Sequence, residues 1–252
     1  MADARTIKIP DANGNLISYA IKDVRNKRTR ENITSRLGNL SQTVAEQNLE
    51  KYGYEIGDYF NGPSGYVYTL ADPNTFYGYN VYAVIGSNHL SIVVDTNTNV
   101  KWNNSNDTSS GYVGSNLHSY MTSTVLNNVK SDFKSLFGGT TGLEHLYSHQ
   151  KLYSTGTGSW SWSADQYISA LTSVQLYGSP ICDMNFYHTG EGNKSLEVFQ
   201  KFFYPEILGN QNTWLRSVAS ASCPAIAGNY GIALGANGAS SEYGAVGLII
   251  FH

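Results

Sequence analysis

The sequence predicts an α+β domain with a small N-terminal appendage, and three observations predict it. Between Tyr54 and Asp95, short aromatic and β-branched runs alternate with turn residues. From Leu117 to Phe137, apolar residues recur at helical spacing. The chain closes on "AVGLIIF", apolar at every position as a central strand buried on both faces must be.

The elements follow in order. "RTIKIPDANGNLISYAIKD" alternates Ile7 and Ile9 with charged neighbours and turns through Asn13-Gly14, a strong hairpin signal. In "ENITSRLGNLSQTVAEQNLEKYG", Ile33, Leu37, Leu40 and Val44 are spaced four, three and four apart, one narrow apolar seam on a short helix. So thin a stripe cannot bury itself alone. It packs on the main domain or on copies of itself, and its polar flanks favour copies. Residues 1–51 hold nine of the 16 Lys and Arg against six of the 19 acids, while 52–252 hold seven against thirteen. The expected division is therefore an attachment or oligomerisation segment, 1–51, followed by a domain over 52–252.

Within that domain, strands are expected at Tyr66–Leu70, Tyr79–Ile85 and Leu90–Asp95, separated by Asn61-Gly62-Pro63, Asp72-Pro73 and Gly86-Ser87-Asn88. Leu117, Met121, Val125, Val129 and Phe133 define a helix capped by Ser115 or Asn116 and stopped by Gly138-Gly139. Trp160 and Trp162 read as a strand, followed by a helix from Ser163 with Gly178 as its exit. "GNKSLEVFQKFF" is a further short helix ended by Pro205.

Catalytic and metal signatures are missing: there is no GxSxG, HExxH, GxxxxGK[ST] or GxGxxG in a βαβ setting. His145 and His149 are four apart, but no third ligand follows, and they read as a surface pair. Glu191 of "GEG" reads as a solvated turn residue, and "DTNTNVKWNNSND" lacks the ligand spacing of a calcium loop. Cys182 and Cys223 form no CxxC; they read as unlinked small side chains, the alternative being a disulfide in an oxidising setting. The expectation is a protein that is not an enzyme, with no cofactor and no metal. A net charge of −3 offers no case for nucleic acid, and neither a membrane span nor a secretion signal is encoded.

The closing stretch, 212–252, sets an aromatic and basic start and an apolar end around about twenty small or polar residues. Trp214 and Arg216 flank Leu215, so a strand puts indole and guanidinium on one face. Arg216, the only arginine after Arg36, reads as a buried organiser whose planar fork can bond several oxygens. With both ends fixed, the middle tolerates side-chain change. Ser220, Ser222, Asn229, Tyr230, Asn237, Ser240, Ser241, Glu242 and Tyr243 are the candidate ligand-binding residues, expected on one exposed face with Tyr230 and Tyr243 as anchors.

"EILGNQNTWLRS", the small or polar stretch and "YGAVGLII", preceded by "KLY" and a helix leading into "YGS", resemble C-type-lectin-like domains of the formylglycine-generating-enzyme subtype and the W-L-R-S domains of prophages. The resemblance covers roughly 52–252; many relatives end in Gly-Val-Arg where this chain has Gly247-Leu248-Ile249. It implies short strands with two or three helices, and a variable region over 212–252 of the kind diversified by retroelements. The implied protein is a phage or prophage receptor-binding protein on the tail or capsid of the virion, made in the host cytoplasm. It would assemble as a homotrimer through Ile33, Leu37, Leu40 and Val44, and its partners would be a host cell-surface protein or glycan and other virion proteins. The alternatives are a decoration protein without receptor role and an oxidase of the formylglycine-generating type, whose closely placed cysteine pair Cys182 and Cys223 do not match.

Overall fold

The computed structural model describes residues 5–10, 16–21, 29–46, 48–73, 89–148, 153–155, 160–162, 166–178, 195–220, 222–228, 233–234 and 238–252. It divides into two units, Met1–Arg30 and Glu31–His252. The first holds an antiparallel pair, β1 (Arg5–Pro10) and β2 (Leu16–Ile21), in register from Arg5 opposite Ile21 to Pro10 opposite Leu16. That closing pair leaves the five residues a hairpin loop needs; Asn13-Gly14 lies outside the described residues.

The second unit is mixed α and β. Its sheet runs in the order β11 (Ala233–Leu234), β10 (Cys223–Ala227), β9 (Thr213–Ser220), β12 (Glu242–Phe251), β5 (Leu90–Lys101), β4 (Val67–Asp72), β3 (Tyr59–Asn61), with β8 (Ile168–Ala170) also pairing with β12. The last strand of the chain is thus the centre of the sheet. From Gly244 to Phe251 every residue of β12 is buried, as its composition requires. A separate hairpin joins β6 (Tyr153–Thr155) to β7 (Trp160–Trp162).

The seam helix is corrected in two respects. It forms as a 3-10 turn, Thr34–Asn39, leading into α1 (Leu40–Ala45). Ile33 and Leu40 are fully buried, Leu37 and Val44 nearly so, within the core of their own chain. Ile33 donates its N–H to the Tyr59 carbonyl at 2.8 Å, and the Tyr54 hydroxyl donates to the Arg36 carbonyl. The four residues have no face left for a copy of the chain, and residues 31–51 belong to the larger unit rather than to an attachment segment. The seam is buried as its spacing requires, but by β3 and the helix described next rather than by a copy of the chain.

That helix is continuous from α2 (Asn116–Tyr120) through a π-turn (Met121–Val125) into α3 (Leu126–Phe137). Ser115 caps it, its hydroxyl accepting from His118 N–H at 3.0 Å, and Gly138 ends it at φ 84°. The apolar residues Leu117, Met121, Val125, Val129 and Phe133 are all fully buried, yet they are spaced four apart throughout. In an α-helix each such step over-rotates by about 40°, so the stripe would wind off the core within a few turns. The π-turn absorbs that drift by wrapping more residues per turn, and Leu126 N–H accordingly reaches back five residues to Met121 O.

Asp132 of α3 fastens the β3–β4 loop. Its carboxylate, buried, accepts from Ser64 N–H (2.8 Å), Ser64 Oγ (2.5 Å) and the Tyr68 hydroxyl (2.6 Å). Burial, and then the bond to Asp132, hold the Tyr68 phenol far above its ordinary range.

Two expectations between 163 and 208 change. The predicted helix from Ser163 is β8 followed by a short α4 (Ser173–Tyr177) ending at Gly178, φ 74°. Pro205 does not end the helix before it: α5 (Glu197–Lys201) stops earlier, and Pro205 opens α6 (Tyr204–Leu208), where a missing N–H costs nothing. Tyr79–Ile85 lies outside the described residues. β5 runs six residues beyond Asp95, because its distal half pairs with the start of β12.

Candidate functional site

Two tryptophans root the closing segment. The Trp214 indole N–H on β9 donates to the Val100 carbonyl of β5 at 2.7 Å, and the Trp102 indole N–H, one residue past β5, donates to the Leu215 carbonyl at 3.2 Å. Each strand end therefore receives a bond from the other's indole. Both rings are fully buried, so their N–H groups would be costly to leave unpaired. Arg216 is only 5% exposed, and its backbone N–H donates to Leu171 O at 3.0 Å. Trp214, Leu215 and Arg216 are all buried, so both faces of β9 are covered here.

β12 joins β9 in parallel at Gly244 opposite Thr213, with Gly244 N–H donating to Asn212 O at 2.9 Å. A Cβ at Gly244 would lie 2.9 Å from the end of the Gln211 side chain and 3.2 Å from Asn212 O, so the Gln211 amide would have to shift to admit one. Gln211 Nε2 in turn donates to Asp95 Oδ1 at 3.4 Å, and Asn97 N–H donates to the same oxygen at 2.9 Å. Burial pushes the Asp95 carboxyl above the usual carboxylate range, against those two bonds. The Tyr204 hydroxyl donates to Gln211 O at 3.5 Å.

The middle of the segment is held by its backbone. Ala239, fully buried, is the knot: its N–H donates to Ser222 O at 3.2 Å and its carbonyl accepts from Asn103 N–H at 2.9 Å. Beside it Asn106 Oδ1 accepts from both Ser240 N–H (3.0 Å) and Ser240 Oγ (2.7 Å). Gly238 abuts the same amide, so closely that a Cβ would sit 2.5 Å from Oδ1. Asn103 fixes its own loop, Nδ2 donating to Asp107 O at 2.7 Å while Oδ1 accepts from Asn116 N–H at 3.0 Å. The Asp107 carboxyl is held below its usual range by the Ser109 backbone N–H, 2.8 Å away, and then the Ser109 hydroxyl.

Of the candidate binding residues, Ser222 is exposed in the turn between β9 and β10, Ser240 and Ser241 are half-buried, and Glu242 is exposed opposite Lys101. Ser220 ends β9, its side chain outside the described residues, as are Asn229, Tyr230 and Asn237. Tyr243 departs from expectation. It is half-buried, its ring set edge-on against Trp214 at 4.7 Å between centroids, and it alternates with Glu242 along β12. Successive strand residues cannot share a face, so Tyr243 belongs to the scaffold side. The structure adds Asn103 and Asn106, whose only signal in the sequence is the density of Asn in "NNSND" directly after Trp102.

Among the described residues no three of His, Cys, Asp and Glu gather as metal ligands would. His145 stacks half-buried on Phe251, ring centroids 5.8 Å apart; His149 lies outside the described residues. Cys223 is a free, half-buried thiol 3.4 Å from Ser222 Oγ, and Cys182 is likewise outside them. No helix among the described residues is long and apolar enough to cross a membrane. No family model matches the chain, and neither a curated protein nor a solved structure matches it.

Proposed function

We propose that the protein binds a ligand on a bacterial cell surface through its C-terminal loops, as a non-enzymatic receptor-binding protein of a phage or prophage particle built on a C-type-lectin-like domain. The observation that carries this reading is the division of labour in 212–252. Its backbone is fixed at both ends by buried strands and in the middle by Ala239, while Ser222 and Glu242 point to solvent. A segment fixed by its backbone can change its outward side chains without unfolding, which suits recognition and a history of diversification.

Adsorption of the labelled full-length protein to host cells tests it. Ser222→Arg with Glu242→Arg places bulk and charge on the exposed positions; adsorption is expected to fall at least tenfold while stability changes by only about 0.5 kcal/mol, as at other surface sites. A double variant that adsorbs like the parent sinks the reading and leaves the virion decoration protein in its place, a role that the packing of Tyr243 into the scaffold favours.

A further inference from the structure

We infer that a monovalent cation binds where β5, β9 and β12 meet, held by side-chain oxygens of Asp95, Gln211, Thr213 and Tyr204. The inference does not depend on the cell-surface reading above. An irregularity in the sheet builds the site. Gly244 pairs with Asn99 and Val246 with Asp95, so Thr96, Asn97 and Thr98 together face Ala245 alone, with Asn97 in the left-handed region at φ 52°. The bulge turns the Asn97 N–H back onto Asp95 Oδ1, which also receives Gln211 Nε2. Asp95 is only 8% exposed, and its Oδ2 accepts no bond from the described residues. Other oxygens with unmet bonding capacity lie close by. Thr213 is fully buried opposite Gly244, and its Oγ1, beside the Tyr204 hydroxyl, meets no partner at bonding geometry. The buried Tyr204 makes only its 3.5 Å bond to Gln211 O, and Gln211 Oε1 lies over Gly244. Tyr177, the last residue of α4, brings a further buried hydroxyl without a partner, near enough to Tyr204 to bear on its charge.

Charge selects the ligand. Buried polar atoms cost free energy until something polar meets them, and a buried carboxylate repels an anion. Burial pushes the Tyr177 phenol up to about 12 and that of Tyr204 still further above its ordinary range, so both stay neutral oxygens at neutral pH. Asp95 is then the one charge of the set. A single positive charge balances it, whereas calcium is held by several charged oxygens. Without such an ion the ionised carboxyl bears its burial penalty alone. With it, Asp95 of β5, Thr213 of β9 and Tyr204 of α6 share one partner at the root of the closing segment, so occupancy is read in stability.

The test compares the melting temperature of the full-length protein in sodium or potassium chloride with that in tetramethylammonium chloride, at neutral pH and equal ionic strength. A saturable rise of about 3 °C is expected in at least one of the two salts. It should shrink as pH falls toward about 4, because protonation removes the charge of Asp95. Thr213→Val, which keeps the shape and removes the hydroxyl, should need at least tenfold more salt for half the rise, and Asp95→Asn should lose it. Equal melting temperatures in all three salts leave ordered water in the site and overturn the inference, as does a rise that persists in Asp95→Asn. A rise given by calcium and by neither sodium nor potassium overturns the charge of the ligand. Should Asp95→Asn not fold, a wild-type rise that keeps its full size at about pH 4 overturns the inference in its place.

Discussion

The ends of the closing segment and the described residues of its middle are both held in place, but by different physics. At the ends, Trp102, Trp214, Leu215 and β12 from Gly244 onward are sealed from water and exchange indole bonds between strands. In the middle, one buried alanine and an exposed asparagine hold the chain through backbone groups. The difference teaches that order and side-chain constraint are separable. Burial fixes a residue's identity together with its position, whereas a backbone hydrogen bond fixes position alone.

The comparison breaks first at the ends. Trp214→Ala should cost about 3–5 kcal/mol, leaving a cavity under Tyr243 and the Val100 carbonyl unpaired. Chemical denaturation measures it, and a loss below about 1 kcal/mol would place the anchor elsewhere. Next comes a pH effect at the root. Because burial raises the Asp95 pKa above its unfolded value, the folded state favours the protonated acid. The resulting stability is complete below the unfolded carboxylate pKa of about 4 and is lost as pH rises through the higher folded value. Asp95→Asn should remove that slope, so its advantage over the parent should grow from about pH 4 to about pH 7; a constant difference would contradict the raised carboxyl.

Smaller effects belong to the middle. Asn106→Ala should cost about 1 kcal/mol, and Gly238→Ala a similar amount by pushing on the same amide. Combined, they should cost less than their sum, since removing the amide makes room for the new methyl. Strict additivity in that cycle would show that the two do not share a contact. Smallest of all, Ser222→Ala and Glu242→Ala should stay within about 0.5 kcal/mol of the parent.

What the sequence made legible follows the same division. The helix from Asn116 to Phe137, with its cap and stop, could be read because the pattern lies in neighbouring residues, and β12 because burial on both faces leaves no choice of composition. Burial of Arg216 was readable from its isolation in an apolar stretch. The seam of Ile33, Leu37, Leu40 and Val44 was legible as buried but not as to what buries it, since the partner surface comes from elements later in the chain. β8 was read as helix because three small or apolar residues carry no period of their own. Asn106 was missed because the bond that gives it a role spans 134 positions.

The π-turn at Met121–Val125 carries a consequence for how this helix can change length. A helix with anchors at every fourth position has in effect already accepted an inserted residue. Excising Thr122, Ser123 or Thr124, none of them buried, would let the turn relax to ordinary α geometry. Eleven residues at about 100° each then return Val129 to within about 20° of the face of Leu117, so both ends of the apolar stripe stay on the core. A single-residue deletion, which in an ordinary helix turns the far end away from the core, should therefore leave this fold standing when it falls within Met121–Val125.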